Sequence, residues 1–205
     1  MHPEVLDEKR KRIFSRLHNF RKFYLAGGTA LALQMGHRTS VDFDLFTHKE
    51  IPESLLQKVG KTFPGAVVKP LVNNKDELTV LVDDVKVTFF NHIFRTILKL
   101  VRYEDVNLLS VKEIAADKAH AIGRRGKYRD YVDLYFIIKG KHSSLTEIIH
   151  LSEKKFGPEF NGRLFLEQMI YLEDIKDDPI LFLKETISKK AIKKFFEQEV
   201  KNIRI

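Results

Sequence analysis

An α+β fold is predicted by the order in which strand-like and helix-like segments follow one another along this sequence. Short apolar segments separated by Gly, Pro and Asp occupy about residues 20–105, and segments with helical spacing fill about residues 108–205. A length of 205 residues suits either one domain or one compact domain with an appended subdomain. We therefore predict two domains, a strand-containing core over residues 1–107 and a helical region over residues 108–205.

Hydrophobic periodicity places the elements of the first half. Helices are predicted over residues 5–20, 29–35 and 52–61, and strands over residues 22–26, 41–46, 66–72, 77–82, 85–91 and 98–103. Gly27 and Gly28 separate the first strand from the second helix, and Pro52 suits the first turn of the third helix. Asp83 and Asp84 stand between two strands, as in a two-residue hairpin turn.

The second half opens with a helix capping box. Ser110 is followed three residues later by Glu113, which predicts a helix from Val111 to about Ile122. The remaining helices are predicted over residues 128–138 and, in three segments, from residue 145 onward, with breaks near residues 157–158 and 178–179.

Composition and charge narrow the class of protein. The formal net charge of +8 and the pI of about 9.5 favour a polyanionic partner such as nucleic acid, or a phosphate-bearing ligand. Lys-rich surfaces are common, however, and abundant Lys and Glu without Cys also fit a thermophile bias. The lack of cysteine excludes disulfides and Cys-type metal sites. No apolar run is long enough for a transmembrane helix, so we expect a soluble, cytoplasmic protein without a membrane partner.

The first candidate site combines a glycine pair with two aspartates. Residues i and i+2 of a strand share a face, so Asp42 and Asp44 are predicted to point the same way. Two neighbouring carboxylates repel unless a cation lies between them, and Mg²⁺ is the usual cation for an all-oxygen site that takes phosphates. Gly27 and Gly28 permit close backbone approach, and a helix starting near Thr29 offers N–H groups to a phosphate. The pattern predicts a site for a nucleoside triphosphate and its metal.

Each half of this pattern also has a purely structural explanation. The aspartates would then lie on an exposed strand face, and the glycines would only form a turn. Their combination on strand, turn, helix and strand favours the functional interpretation, because the context of a motif is what makes it specific.

The same residues carry a resemblance to a known family. Gly27, Gly28, Asp42 and Asp44 match the signature of the nucleotidyltransferase superfamily related to DNA polymerase β, in which a glycine pair and a helix precede Asp-apolar-Asp. The fuller strings GGTALAL and GHRTSVDFDLF resemble the AbiEii/AbiGii-type nucleotidyltransferase toxins. The resemblance implies a polymerase-β-like core with a mixed sheet, followed by helices that pack on it and complete the active site. Arg38 stands where that family often has a basic residue, and a surface cation is the alternative.

One position departs from the superfamily pattern. A third carboxylate is usual on a later strand, and the matching position in VKVTFF is Thr88. Asp83 and Asp84 lie nearby, but a turn explains them better. Either two strand carboxylates bind the metal, or an acid elsewhere replaces the third.

The second candidate site lies in the predicted helices of the second half. Lys118 falls in the middle of an apolar stripe that contains Ile114 and Ile122, and Asp133 interrupts the apolar segment YVDLYFII. A lysine in that place either extends outward by its stem or needs a carboxylate or phosphate partner. A structural ion pair between Lys118 and Asp133 is one explanation, and a cleft shared with the strand aspartates is the other.

The resemblance extends to this second block. The run DKAHAIGRRGKYRDYVDLYFI is similar to a second block of the toxin family, which Lys118, Asp130 and Asp133 match. The resemblance implies that these residues belong to the active site, with an aspartate that acts as a base or completes the acidic set.

Together these features predict a nucleotidyltransferase that uses Mg²⁺ or Mn²⁺ and moves a nucleoside monophosphate from a nucleoside triphosphate to an acceptor hydroxyl. By resemblance it would be the toxin of a toxin–antitoxin or phage-defence pair, with RNA or tRNA as acceptor and an antitoxin protein as a further partner. Transfer to a protein or small molecule and a non-catalytic nucleotide- or RNA-binding relative are the alternatives. The predicted site residues are Asp42, Asp44, Lys118, Asp130 and Asp133 for catalysis, Asp42 and Asp44 for metal, and Gly27, Gly28, Thr29 and Arg38 for nucleotide.

Overall fold

The computed structural model describes residues 1–203, apart from the side chain of Arg125. Residues 204 and 205, which end the predicted helical region, lie outside the described residues. The chain divides into two compact units, one comprising residues 1–110 and the other beginning at Val111. Among the helices described up to residue 203, none has the length and apolar character needed to cross a bilayer.

Seven strands within the described chain form one sheet in the first unit. The strands are β1 (Tyr24–Ala26), β2 (Phe43–Thr47), β3 (Val68–Asn73), β4 (Glu77–Val82), β5 (Val85–Asn91), β6 (Val101–Tyr103) and β7 (Val106–Leu108). Their order across the sheet is β3-β4-β5-β2-β1-β7-β6. The β2–β5 and β1–β7 pairs are parallel and the other neighbours are antiparallel, which confirms the predicted mixed sheet.

Two hairpins of this sheet turn through pairs of acidic residues. Asp83 and Asp84 have φ values of 47° and 65°, as a two-residue type I′ turn requires, so the predicted turn between β4 and β5 is confirmed. Glu104 and Asp105, with φ values of 46° and 61°, form the corresponding turn between β6 and β7. The sequence did not predict β7, which is only three residues long.

The first two helices of the first unit differ from the prediction at their start: the first begins later and is shorter, and the second begins at Gly27 instead of Thr29, so the glycine pair forms its first turn. The helices of this unit are α1 (Glu8–Phe14), α2 (Gly27–Met35) and α3 (Leu55–Thr62). A continuous helix over residues 5–20 is wrong, because the carboxylate of Asp7 accepts a hydrogen bond of 2.8 Å from the backbone N–H of Arg10 and caps the helix there. At the other end, the Ser15 hydroxyl donates to the carbonyl of Arg12, a local bond that competes with helix continuation.

One face of the sheet forms the core of the first unit. Phe43 and Leu45 on β2 are almost completely buried, whereas the alternate residues Asp44 and Phe46 remain partly exposed. The ring of Phe89 on β5 joins the same core, with its centroid 4.9 Å from that of Phe20. Burial on one face therefore leaves Asp44 on the other, as the alternation of the sequence predicts.

The second unit is helical over its described residues. Its helices are α4 (Val111–Arg125), α5 (Tyr128–Lys139), α6 (Leu145–Phe156), α7 (Gly162–Ile170) and α8 (Lys189–Lys201). The predicted start of α4 at Val111 is confirmed, but the helix continues past Ile122 to Arg125. Helix α4 packs against α5, α6 and α7, and α8 packs against α5 and α7.

Candidate active site

Gly27 brings the start of α2 against the carboxylate of Asp44. Its φ of +63° lies in the left-handed region that favours glycine. A Cβ atom at this position would lie 2.8 Å from Oδ2 of Asp44, which is too close for any other residue without a shift. The first N–H groups of a helix have no intrahelical partner, so donors and a carboxylate are placed side by side here.

Gly28 lies against the buried side chain of Arg38. A Cβ atom on Gly28 would lie 2.7 Å from Nη2 of Arg38 and 3.3 Å from Oγ of Ser40. Arg38 is 4% exposed, and its Nη1 donates a hydrogen bond of 2.9 Å to the carbonyl of Thr39. The alternative of a surface cation is therefore wrong, and a guanidinium held in place stands next to the glycine pair.

Thr29 connects the glycine turn to the segment that carries the acids. Its side chain is buried, and its hydroxyl donates to the backbone carbonyl of Asp42. The Thr29 and Ser40 hydroxyl oxygens lie 2.8 Å apart. These contacts fix α2 relative to the start of β2. The Thr29 hydroxyl therefore has a structural role, because its proton is already donated within the protein. Any contribution of Thr29 to nucleotide binding would come from its backbone N–H group and stays a prediction.

The two aspartates lie at the beginning of β2. Asp42 immediately precedes the strand, and its Oδ2 lies 3.3 Å from Nζ of Lys86 on β5. Asp44 pairs in register with Ala26 on β1 and with Thr88 on β5. Lys86 thus supplies one positive charge at the acid pair, although it reaches Asp42 from the solvent side with 43% of its side chain exposed. Lys86 could not be identified from the sequence, because a cross-strand neighbour is visible only once the register is known.

Asp42 and Asp44 offer carboxylate oxygens, the type of ligand that Mg²⁺ prefers. Mg²⁺ is commonly bound through one or two carboxylates together with substrate phosphates and water. Over residues 1–203, no three or more His, Cys, Asp or Glu side chains come together as a metal cage. An ion held by these two aspartates would therefore take its remaining ligands from the triphosphate, from water or from neutral oxygens of the chain.

The strand next to Asp44 presents hydroxyl groups rather than an acid. Thr88 lies directly beside Asp44 in the parallel register of β2 and β5. Its Oγ1 is 3.2 Å from Oγ1 of Thr79 on β4, which in turn donates a hydrogen bond of 2.6 Å to Oε1 of Glu77. The sequence identified Thr88 but missed this connection, because Thr79 and Glu77 belong to a strand that shows no motif.

In the second unit, Lys118 is held between two carboxylates. Its Nζ lies 2.8 Å from Oδ1 of Asp130 and 2.6 Å from Oδ2 of Asp133. Lys118 is 7% exposed and Asp133 is completely buried. The ion pair that the sequence suggested is present, and Asp130 joins it. The proposed participation of these residues in the same active site as Asp42 and Asp44 stays a prediction.

A second buried charge cluster connects α4 to α6. Lys155 on α6 places its fully buried ammonium 2.6 Å from Glu113 and 2.5 Å from Asp117. Burial raises the pKa of Asp117 from its usual 3.8 to about 6, and Lys155 opposes this shift. This cluster was not predicted, and its contacts explain it as a structural connection between α4 and α6.

Comparisons with known proteins agree with the geometry of the first unit. The sequence profile of a family described as nucleotidyl transferase AbiEii toxin, type IV toxin–antitoxin system, matches residues 11–203. The chain is 32% identical over 186 residues to the uncharacterized protein aq_aa25 of Aquifex aeolicus (strain VF5). This alignment covers 87% of this chain and 86% of that protein.

Two crystal structures share the fold. One is a candidate nucleotidyltransferase from H. pylori, with a TM-score of 0.60 and 21% identity over 96% of each chain. The other is JHP933 from Helicobacter pylori, with a TM-score of 0.56 and 18% identity over 95% of this chain and 96% of that one. At such identities the two structures support the shared fold alone.

Proposed function

Because this chain belongs to the AbiEii nucleotidyl transferase toxin family, we propose that it transfers a nucleoside monophosphate from a nucleoside triphosphate to a hydroxyl group of RNA, such as a tRNA. In this proposal the reaction depends on Mg²⁺ or Mn²⁺, and the protein acts in the cytoplasm as the toxin opposite an antitoxin. The net charge of +8 supports a polyanionic acceptor. The observation that carries the proposal is the close approach of Gly27 to the carboxylate of Asp44.

In this proposal, that approach would bring the phosphate-binding groups and the metal-binding groups into one small region. The N–H groups of Gly27 and Gly28 at the start of α2 would bind the triphosphate, and the Arg38 guanidinium beside Gly28 would bind one of its charged oxygens. Asp42 and Asp44 would hold the metal ion. When bound, Mg²⁺ would neutralise charge on the phosphate oxygens and so favour attack.

In the proposed transfer, one bond to the α-phosphorus forms while another breaks. The acceptor oxygen forms a bond to the α-phosphorus, while the bond from that phosphorus to the bridging oxygen of the β-phosphate breaks. Pyrophosphate leaves with the bonding electron pair, and the proton of the acceptor hydroxyl passes to a carboxylate. Asp130 or Asp133 would serve as that base or as an additional ligand, and Lys118 would hold it in position or bind phosphate. The two short contacts of Lys118 to these aspartates support the positioning role.

A labelled-transfer assay tests the proposal. The protein is incubated with each α-labelled nucleoside triphosphate, Mg²⁺ and total tRNA, beside the variants Asp42→Ala and Asp84→Asn. Asp84 is a matched control, because its side chain is 95% exposed and its positive φ suits asparagine. We expect label on tRNA that falls by roughly 100-fold or more in Asp42→Ala, since a metal clamp contributes several kcal/mol, and that is unchanged in Asp84→Asn.

Two other outcomes would overturn parts of the proposal. Label that appears on protein instead of RNA would show that the acceptor is wrong while nucleotidyl transfer is right. Equal transfer by wild type and Asp42→Ala would remove Asp42 from the active site.

A further inference from the structure

Thr88 occupies the place next to Asp44 at which a further metal ligand would be expected. Its position follows from the parallel register in which Phe43 pairs with Val87 and Asp44 with Thr88. Thr88 is partly exposed, on the face of the sheet opposite the buried Val87. A hydroxyl at this position is a weak ligand by itself, because it is neutral and carries a proton of its own.

The hydrogen-bond chain behind Thr88 decides where that proton goes. Thr79 Oγ1 lies 2.6 Å from Oε1 of Glu77 and 3.2 Å from Oγ1 of Thr88. A hydroxyl has one proton, and an ionised carboxylate can only accept. The proton of Thr79 therefore goes to Glu77, and Thr88 supplies the proton in its own contact with Thr79. This order leaves the oxygen of Thr88 with free lone pairs and commits its proton to the chain.

The pairing of β4 with β5 does not require a glutamate at position 77. Threonine pairs on adjacent strands are a common source of sheet stability, and Thr79 and Thr88 form such a pair in register. Glutamate, in contrast, is depleted in strands. Glu77 is half-buried at the first position of β4, and its carboxylate is the last acceptor in the series of hydrogen bonds that begins at Thr88. A terminal acceptor of this kind polarises the hydroxyls before it.

We propose that Glu77, acting through Thr79, makes the Thr88 oxygen a third oxygen ligand beside Asp44. The inference rests on the proposed function, in which Asp42 and Asp44 hold a divalent cation. Threonine and serine hydroxyls are known Mg²⁺ ligands in phosphate sites. A hydroxyl that binds a cation needs an acceptor for its proton, and the carboxylate of Glu77 provides one over two hydrogen bonds. Glu77 is thus a positioning residue, and Thr88 is the ligand.

The test compares Mn²⁺ binding and catalysis in the wild type and in five variants. Mn²⁺ alone is titrated into the full chain and followed by electron paramagnetic resonance, and kcat and KM are measured in the transfer assay. Glu77→Gln should raise the Kd for Mn²⁺ about 10-fold, the lower end of the effect of removing an outer partner of a metal ligand, and lower kcat more than it changes KM for the nucleotide. Thr79→Val should do the same, because it keeps the shape of the side chain but interrupts the chain.

Rescue separates a ligand role from a purely structural one. Thr88→Asp places a carboxylate directly at the ligand position, so adding it to Glu77→Gln should restore Mn²⁺ affinity and kcat. Asp76→Asn is the matched control, since it removes a carboxylate from the exposed neighbour of Glu77 and should change neither quantity.

The outcomes distinguish this inference from the proposed function. If Asp44→Ala is inactive while Glu77→Gln and Thr79→Val both equal the wild type in Mn²⁺ affinity and kcat, the role of Glu77 is overturned and the proposed function stands. If Asp44→Ala is fully active, Asp44 does not hold the metal, and this inference is overturned together with the proposed metal site. Absence of transfer by the wild type would overturn the proposed function itself. If Glu77→Gln does not fold, the Mn²⁺ affinity and kcat of Thr79→Val alone test the inference.

Discussion

Replacing Gly27 with alanine tests the geometry on which the candidate site depends. The substitution introduces a Cβ atom 2.8 Å from Oδ2 of Asp44, whereas ordinary contacts begin at 3.4 Å. The carboxylate or the start of α2 must therefore move by about 0.6 Å, a distance taken from these two values. A misplacement of about 1 Å can lower an enzymatic rate 100-fold, so we expect kcat to fall by roughly 10-fold or more.

The same substitution also has a cost that is unrelated to Asp44. Alanine in a left-handed conformation costs about 1–2 kcal/mol, which corresponds to a decrease in Tm of roughly 2–8 °C for a chain of this size. Gly65→Ala provides the matched control, because Gly65 has a φ of +80° and a Cβ atom there would meet nothing within 4 Å. Gly27→Ala should lose at least as much thermal stability in differential scanning calorimetry as Gly65→Ala, but only Gly27→Ala should lose transfer activity. If the two variants keep equal activity, or lose it equally, the contact between Gly27 and Asp44 does not form the site.

Two further predictions concern the second unit. Lys118→Met should lower the free energy of unfolding by about 3–5 kcal/mol, because it leaves the buried Asp133 without its short ion pair. Lys112→Met on the same helix should lower it by less than about 1 kcal/mol, since the pair of Lys112 with Glu147 is exposed. Equal urea midpoints for the two variants would contradict this prediction. Burial raises the pKa of Asp117 above its unfolded value, so its contribution to stability is complete below about pH 4 and is lost as the pH rises through about 6. The free energy of unfolding should thus decrease over this pH range more in the wild type than in Asp117→Asn. The difference should be smaller than for a fully buried carboxyl group, because 21% of the Asp117 side chain is exposed. Parallel pH profiles for the two proteins would show that Asp117 does not titrate in this range.

Local signals in the sequence were sufficient for much of the fold. The turn at Asp83 and Asp84 was predicted because two acidic residues between alternating apolar strands have few other uses, and both adopt positive φ. The start of α4 was predicted because the capping box, a pattern of only four residues, marks the N-terminus of a helix. The glycine pair and the two aspartates were likewise found as a local motif, and the structure places Gly27 next to Asp44.

Features that depend on distant partners were missed. The strand β7 is three residues long, and it was missed although Glu104 and Asp105 mark its hairpin with β6 by the same kind of local signal as the predicted turn. Its second edge depends on a distant partner, because Leu108 pairs with Leu25 in the parallel register. The burial of Arg38 and the salt bridge of Lys86 to Asp42 likewise depend on which elements meet in space.

The short central strand β1 makes the first unit sensitive to where the chain is cut. This strand pairs with β2 on one side and with β7 on the other, and all three of its residues are buried. A fragment that stops before Val106 would leave the second edge of β1 open, with apolar side chains and unpaired N–H and C=O groups that invite other chains to add strands. Expression of the acid-bearing part of the sheet alone should therefore give aggregates, and a soluble fragment has to extend through Leu108.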